Sequence, residues 1–394
     1  MCCRLLSFYR APNSVNTFDK QTGVEFLRTA DVHLFEMNEI VKSLPPDLKF
    51  GTGMWEYCKN RTFGRIVEKH HATQVFVFVA DNYELVPAEK AATHKKRAAS
   101  CPDGSMLSDA HLAEIEITDG PIPTPTVIKS NAALMYKAIV YLYSQIIRFR
   151  SLFGDNAQIY LSYPSPKRSC SGLTWPSTHS SYGENVCITG GPEPPLHWTQ
   201  GEGEIVVRLW VGWLKTTFPT VRRFVATSCD NDNYVISLLR PAAESEGLYI
   251  HMRDVIKPGT DTVQMMRILD CHALCMSFPS AEIRASVAVV AILCGSDYCT
   301  GYDRVGPLTL LKQALPSPSD DAAPRLRAPK VKKPQPKITS IYEEPLFVGS
   351  TDVIPDRMQR FVDGLFKKAE RRPKIDSCPV FQSAMMNVRY WALY

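Results

Sequence analysis

Short β-prone runs alternate with segments of helical periodicity along most of this chain. The predicted strands cover residues 25–33, 73–81, 157–164 and 222–232. The predicted helices cover residues 35–44, 87–100, 127–150, 201–214 and 285–298. In the longest of these helices Ile139, Leu142 and Ile146 share one apolar face, as helical periodicity requires. This alternation is typical of an α/β fold with a mostly parallel central sheet flanked by helices.

Stretches rich in proline, glycine and serine interrupt this pattern and mark the predicted domain boundaries. We predict a main domain over 1–315, with loop-like insertions at about 101–126 and 164–200. Residues 316–340 are Pro-rich and basic, which is typical of a disordered linker. Residues 341–394 form a C-terminal segment with helical periodicity.

The composition excludes several classes of protein and leaves others open. The net charge of +5 permits a polyanionic partner without demanding one. The 12 cysteines show no paired CxxC spacing, so a structural zinc site is not expected. We find no signal peptide and no apolar run long enough to cross a bilayer. We therefore expect an intracellular protein, nuclear or cytoplasmic, with reduced thiols and no membrane partner.

Acidic residues recur where predicted strands end and where predicted helices begin or end. The carboxyl ends of parallel strands meet at one edge of a sheet, so acids placed there come together. A glutamate pair starts the helix predicted from residue 201, and Asp297 ends the apolar helix before a glycine-rich turn. The candidate set is Asp31, Asp81, Glu202, Glu204, Asp230, Asp232 and Asp297.

Such a concentration of carboxylates needs cations, because like charges in one cleft repel each other. Oxygen ligands without histidine or cysteine suit Mg²⁺ or Mn²⁺. Two such ions about 4 Å apart can hydrolyse a phosphodiester bond. Taken singly, each acid is more often a turn or helix-cap residue, and only the ordered set favours a metal site.

Five motifs together resemble the 5′ nucleases of the flap endonuclease and XPG type, which have a PIN-like fold. The motifs are TADVHLFEMNEIV, VFVFVADNYELVPAEKAATHKKR, GEGEIVV, ATSCDND and LCGSDYCTGYDRVGP. The resemblance implies that the seven acids bind two metal ions. It also implies a helix-hairpin-helix element over about 286–313 that holds duplex DNA.

The resemblance assigns the basic residues as well. Lys90 and Arg97 would share a helix face and steer the scissile phosphate. The residues that would contact the DNA backbone are Lys95, Lys96, Gly301, Arg304, Gly306 and Lys312. Arg304 stands where the family has a glycine, so it either contacts phosphate itself or marks the loss of a bound K⁺ ion.

The leading hypothesis is a Mg²⁺-dependent, structure-specific nuclease for branched DNA in replication, repair or recombination. Its substrates would be 5′ flaps, nicks or bubbles. Two alternatives are an RNA-degrading nuclease of the same fold and a catalytically retired DNA-binding scaffold. Residues 359–366 loosely resemble a sliding-clamp-binding motif, which would recruit a replication protein, and an amphipathic helix packed on the body is the other interpretation.

Overall fold

The computed structural model divides the chain into two compact units, and each is described by itself. One unit comprises Val15–Asp230 and Gly247–Asp270, and the other comprises Met1–Ser14, Asn231–Glu246 and Cys271–Tyr394. The residues that the structure describes are 14–45, 48–67, 71–81, 132–163, 185–195, 203–230, 232–256, 263–293, 341, 345–349, 351–365 and 374–393. Within these ranges no helix has the length and apolar character needed to span a membrane.

A mixed sheet forms the centre of the first unit. Its described strands are β1 (Val15–Asp19), β2 (Val32–Glu36), β3 (Val75–Val79), β4 (Gln158–Ser162), β5 (Asn185–Cys187), β6 (Phe224–Thr227), β7 (Leu248–Ile256) and β8 (Val263–Asp270). They lie in the order β1-β8-β7-β6-β2-β3-β4-β5. The inner strands β7, β6, β2, β3 and β4 are mutually parallel, while β1, β8 and β5 pair antiparallel at the edges. The predicted α/β fold with a mostly parallel sheet is confirmed.

Helices cover both faces of this sheet. The described α-helices of the unit are α1 (Lys20–Arg28), α2 (Met37–Lys42), α3 (Thr52–Tyr57), α4 (Gly64–Val67), α5 (Ala132–Arg148) and α6 (Gly203–Thr217). A π-helical turn over Cys58–Phe63 joins α3 to α4, and a 3₁₀ turn over Arg150–Phe153 follows α5.

The central strands β2, β3 and β6 are mostly apolar, as expected of strands that are buried on both faces. All five residues of β3 are buried, and burying each phenylalanine there contributes roughly 2 kcal/mol. Phe76 and Phe78 lie in the core with α5. The Tyr143 hydroxyl of α5 lies 3.0 Å from the carbonyl oxygen of Phe78 and 2.8 Å from that of Ser162, and it shares its one hydrogen between these two acceptors. On the other face, Trp210 of α6 packs on Tyr160 of β4, with ring centroids 5.3 Å apart.

The strand predicted over 25–33 is wrong. Residues 25–28 belong to α1, which starts where the Asp19 carboxylate accepts a hydrogen bond from the Thr22 N–H at 3.0 Å. The strand β2 begins only at Val32 and ends at Glu36. The last residue of the strand is therefore Glu36, and Asp31 precedes the strand.

Other predicted elements are confirmed with different ends, and the prediction omits several strands. The strand predicted over 222–232 ends at Thr227, and the loop predicted over 164–200 contains β5, which pairs with β4. The helix predicted over 127–150 is α5, and the one over 201–214 is α6. The strands β1, β7 and β8 were not predicted.

The second unit is mainly helical in its described part, with one short β-hairpin. Its elements are α7 (Asp232–Leu239), α8 (Cys271–Met276), α9 (Ala281–Leu293), α10 (Pro355–Leu365), α11 (Pro379–Leu393), a hairpin of β9 (Phe347–Val348) and β10 (Asp352–Val353), and 3₁₀ turns over Ala242–Ser245 and Ile375–Ser377. Helix α9 is buried over nearly its whole length and packs against α7 and α11. The unit therefore joins residues on both sides of the domain boundary predicted at 315.

The C-terminal segment packs into this unit through apolar side chains. Met358, Phe361 and Val362 of α10 are buried, with exposed fractions of 0%, 3% and 0%. The burial of these three side chains favours the alternative of an amphipathic helix packed on the protein.

Candidate active site at the carboxyl edge of the sheet

The strand order places a topological switch point at the centre of the sheet. From β2 the chain continues to β3 and β4 on one side, whereas β6 and β7 lie on the other side of β2. In open α/β sheets, ligands bind outside the carboxyl ends of the strands at such a point. Glu36 ends β2, Asp81 follows β3 and Asp230 follows β6, so all three approach this edge.

Helix α6 begins directly against two of these acids. The Gly203 N–H donates a hydrogen bond to Asp81 Oδ1 at 2.8 Å. The Asp81 N–H in turn donates to Asn38 Oδ1 at 2.9 Å. A Cβ atom built on Gly203 would lie 2.9 Å from Asp81 Oδ1 and 3.0 Å from Glu36 Cγ, which shows how closely both side chains approach the helix start.

The buried carboxylate of Glu36 lies among other acids. Its side chain is only 2% exposed. Burial raises the pKa of Glu36 well above its usual range, and the charges of Glu204, Glu39 and Asp81 raise it further, against a smaller opposing effect of Lys42. Within the described residues, Glu36 Oε2 has no hydrogen-bond partner. An unpartnered buried carboxylate oxygen of this kind is one that a bound cation would satisfy.

The end of β6 faces the same group of acids. The Cys229 side chain reaches solvent, yet the protein atoms packed around its thiol raise its pKa to about 12, and the charges of Glu39 and Glu36 contribute in the same direction. Asp230 also contributes to this shift. The segment after β6 therefore lies close enough to Glu36 to share its electrostatic environment.

The carboxylate of Asp254 on strand β7 already has positively charged and hydrogen-bonding partners. His251 Nε2 lies 3.0 Å from Asp254 Oδ1, and Arg65 forms an ion pair with the same carboxylate. Burial opposes ionisation of Asp254, but the hydrogen bond and charge of His251, together with Arg65, hold its pKa at about 2. Asp254 is thus engaged in an ion-pair network and is not one of the candidate metal ligands.

The structure does not bring Asp31 to this edge. Asp31 Oδ2 accepts hydrogen bonds from the main-chain N–H groups of Arg222 (2.7 Å) and Arg223 (2.9 Å) before β2 begins. Val32 is in register with Val75, six residues before Asp81, so Asp31 lies roughly 20 Å from Asp81 along the strand direction. The assignment of Asp31 rested on the wrong strand, and Glu36 occupies the strand end that was attributed to it.

Sequence reasoning missed Glu36, although a signal was present. Residues 32–35 read VHLF, a continuous apolar run of the kind expected for a strand buried on both faces, and Glu36 follows at once. His33 is the one polar residue of this run, but its ring is fully buried like its apolar neighbours and stacks on Phe35 and Phe76.

Several other predicted residues are not tested by this geometry. Asp232 begins α7 in the helical unit, five residues after the end of β6. The predicted residues outside the described part of the chain are Glu202, Asp297, Lys90, Arg97, Lys95, Lys96, Gly301, Arg304, Gly306 and Lys312. Their roles stay predictions.

The residues fit a hard divalent cation by the chemistry of their donors. Glu36, Asp81 and Glu204 supply carboxylate oxygens only, and Mg²⁺ and Mn²⁺ prefer such ligands. In the described ranges, no three histidine, cysteine, aspartate or glutamate side chains converge in an arrangement that could hold a metal ion. The site as described therefore has the right donors without a complete coordination sphere.

No protein-family model matches this chain, and neither does any curated protein. A solved structure that resembles it is the catalytic core of Rad2 in complex with a DNA substrate, at 13% sequence identity and a TM-score of 0.36. The match covers 77% of this chain and 65% of the Rad2 chain.

Proposed function

We propose that the protein is a divalent-metal-dependent nuclease that hydrolyses phosphodiester bonds in branched DNA. One observation carries the proposal. Asp81 and Glu204 lie near enough to the buried Glu36 at the carboxyl edge of the sheet to raise its pKa, and Glu36 Oε2 has no partner in the described structure. Burying several carboxylates together is costly unless a cation compensates them.

The proposed ligands of Mg²⁺ or Mn²⁺, as one ion or two, are Glu36, Asp81, Glu204 and Asp230. Glu202 and Asp297 are further candidates from the sequence. When bound, such ions lower the pKa of an attacking water and stabilise the leaving oxygen. Asp81 is held by its two hydrogen bonds, and the N-terminus of α6 directs its positive dipole end at the acids. Lys90 and Arg97 would orient the scissile phosphate.

Recognition of DNA rests on the motifs outside the described residues. Lys95 and Lys96 would contact phosphates, and the turn over Gly301, Arg304 and Gly306, followed by Lys312, would grip the duplex. Main-chain amides of a glycine turn can approach a phosphate closely. This proposal has two forms. In one, Arg304 contacts the phosphate directly; in the other, the turn holds a K⁺ ion.

A cleavage assay with two acid variants tests the proposal. We would compare a 5′-labelled flap DNA with an RNA of the same shape, in Mg²⁺ and in chelator. Glu36→Gln should reduce cleavage by more than about 100-fold, because loss of even an outer-shell partner costs about 10–100-fold. Asp31→Asn is the matched control and should cleave like the wild type, since Asp31 lies at the opposite edge.

Each other outcome has a defined meaning. Loss of cleavage in Asp31→Asn with full activity in Glu36→Gln would place the metal site elsewhere. Preferential cutting of RNA would favour the ribonuclease alternative. Binding of the flap without metal-dependent cleavage would favour the scaffold, although the acids at the described edge argue against a retired site.

A further inference from the structure

Asp81 is held from two sides by groups that are not themselves acids. Asn38, the second residue of α2, is fully buried and accepts the Asp81 N–H at 2.9 Å. Gly203, the first residue of α6, donates its N–H to Asp81 Oδ1 at 2.8 Å. The hydrogen bonds described for Asp81 thus use its N–H and Oδ1, and Oδ2 is the oxygen that remains for a ligand.

The absence of a side chain at Gly203 is required by this close approach. Glycine in a helix costs about 1 kcal/mol relative to alanine, so its presence at the start of α6 calls for a reason. A Cβ atom would lie 2.9 Å from Asp81 Oδ1, 3.0 Å from Glu36 Cγ and 3.1 Å from Glu36 Cδ. Both carboxylates would have to turn away from the helix.

Another glycine of the same helix provides the contrast. Gly212 is exposed on α6, and a Cβ atom built there meets nothing within 4 Å. An alanine at Gly212 adds the same methyl group to the same helix without touching the acids. The close packing at Gly203 is therefore specific to the acidic edge.

We propose that Asn38 and Gly203 are positioning residues that fix the Asp81 carboxylate for cation binding. Asn38 fixes the main chain at the end of β3, and Gly203 fixes one carboxylate oxygen while admitting Glu36 beside it. This inference rests on the proposed metal site and adds the residues that orient its ligand. Neither residue would touch the substrate.

Calorimetric titration of the metal-free, full-length protein with Mn²⁺ tests this role without a nucleic acid. We expect Gly203→Ala and Asn38→Leu to weaken Mn²⁺ binding by about 10–100-fold, the range seen when outer-shell partners are lost. Gly212→Ala should bind Mn²⁺ as the wild type does. In the cleavage assay, raising the Mn²⁺ concentration should restore much of the activity of Gly203→Ala, which a general folding defect would not allow.

Thermal unfolding without metal separates positioning from folding. If Asn38→Leu does not fold, the Mn²⁺ affinity of Gly203→Ala tests the positioning role. This variant is expected to fold, because alanine has a higher helix propensity than glycine. Wild-type Mn²⁺ affinity in Gly203→Ala would overturn the positioning role and leave the metal site intact. A wild-type protein that binds no Mn²⁺, or binding that Glu36→Gln leaves unchanged, would overturn the proposed site and this inference together.

Discussion

The imidazole of His33 is a neutral group locked inside the sheet. Its Nε2–H donates to the Leu27 carbonyl at 2.8 Å, and its side chain is fully buried. Burial lowers its pKa from 6.5 to about 4. Between pH 6.5 and pH 4, His33 is therefore protonated in the unfolded chain and neutral in the folded protein. Because the unfolded state binds the additional proton, the free energy of unfolding falls as the pH drops through this range.

This residue should contribute to the acid sensitivity of the protein above pH 4. The difference of 6.5 minus 4 corresponds to about 3 kcal/mol of unfolding free energy lost between pH 7 and pH 4. Urea unfolding of the wild type and His33→Gln at pH 7 and pH 4.5 measures it. The variant should lose less stability over this interval, and equal losses in the two proteins would contradict the assignment.

At the scale of elements, the turn at Gly247 places the start of β7 beside β6. Gly247 precedes β7 with a φ of 72°, and its carbonyl accepts the Phe224 N–H at 2.8 Å. A Cβ atom at Gly247 would clash with the main-chain oxygen of Arg222. The turn therefore needs glycine for two reasons, its backbone conformation and its contact with the neighbouring strand.

Gly247→Ala should destabilise the protein by about 3 kcal/mol or more, because left-handed strain adds to a clash with rigid backbone. Gly190→Ala is the control, since Gly190 has a φ of 77° but nothing within 4 Å of its added Cβ. That change should cost only about 1–2 kcal/mol. Chemical denaturation of both variants measures the difference, and equal losses would mean that the Arg222 contact relaxes freely.

For the whole molecule, binding of DNA through lysine contacts to phosphates would be sensitive to salt, because each contact releases counterions from the DNA. Each lysine that contacts a phosphate contributes about one unit to the slope of log affinity against log salt concentration. If Lys95 and Lys96 contact DNA, the variant with both changed to alanine should show a slope smaller by about 2. Flap-DNA binding to a catalytically blocked protein, measured over a salt series, tests this.

A lysine outside the proposed contacts provides the control for this result. Lys59→Ala removes one positive charge from a side chain that pairs with Glu56 at 3.4 Å. This variant should leave the slope unchanged. If it reduces the slope as much per charge as the Lys95 and Lys96 changes do, the effect is one of overall charge and the two lysines are not contacts.

The local pattern of the chain was enough to predict elements that are apolar along their length or along one face. The strand VFVFV, the helices α5, α6 and α9, and the α/β class with a mostly parallel sheet all follow from periodicity and from burial on both sheet faces. Asp81 and Glu204 were predicted at the acidic edge because each lies next to such an element.

Only the tertiary structure decided which acids share an edge and what holds them. Asp31 and Glu36 are five residues apart, yet they lie at opposite ends of β2, because the strand starts after α1 is complete. Asn38 and Gly203 carry no charge and were not among the predicted site residues, although both lie within motifs of the sequence. Their contacts with Asp81 join residues that are 43 and 122 positions apart in the chain. Periodicity is a property of neighbours along the chain, whereas a site depends on pairings between distant segments, which the sequence determines only through the complete fold.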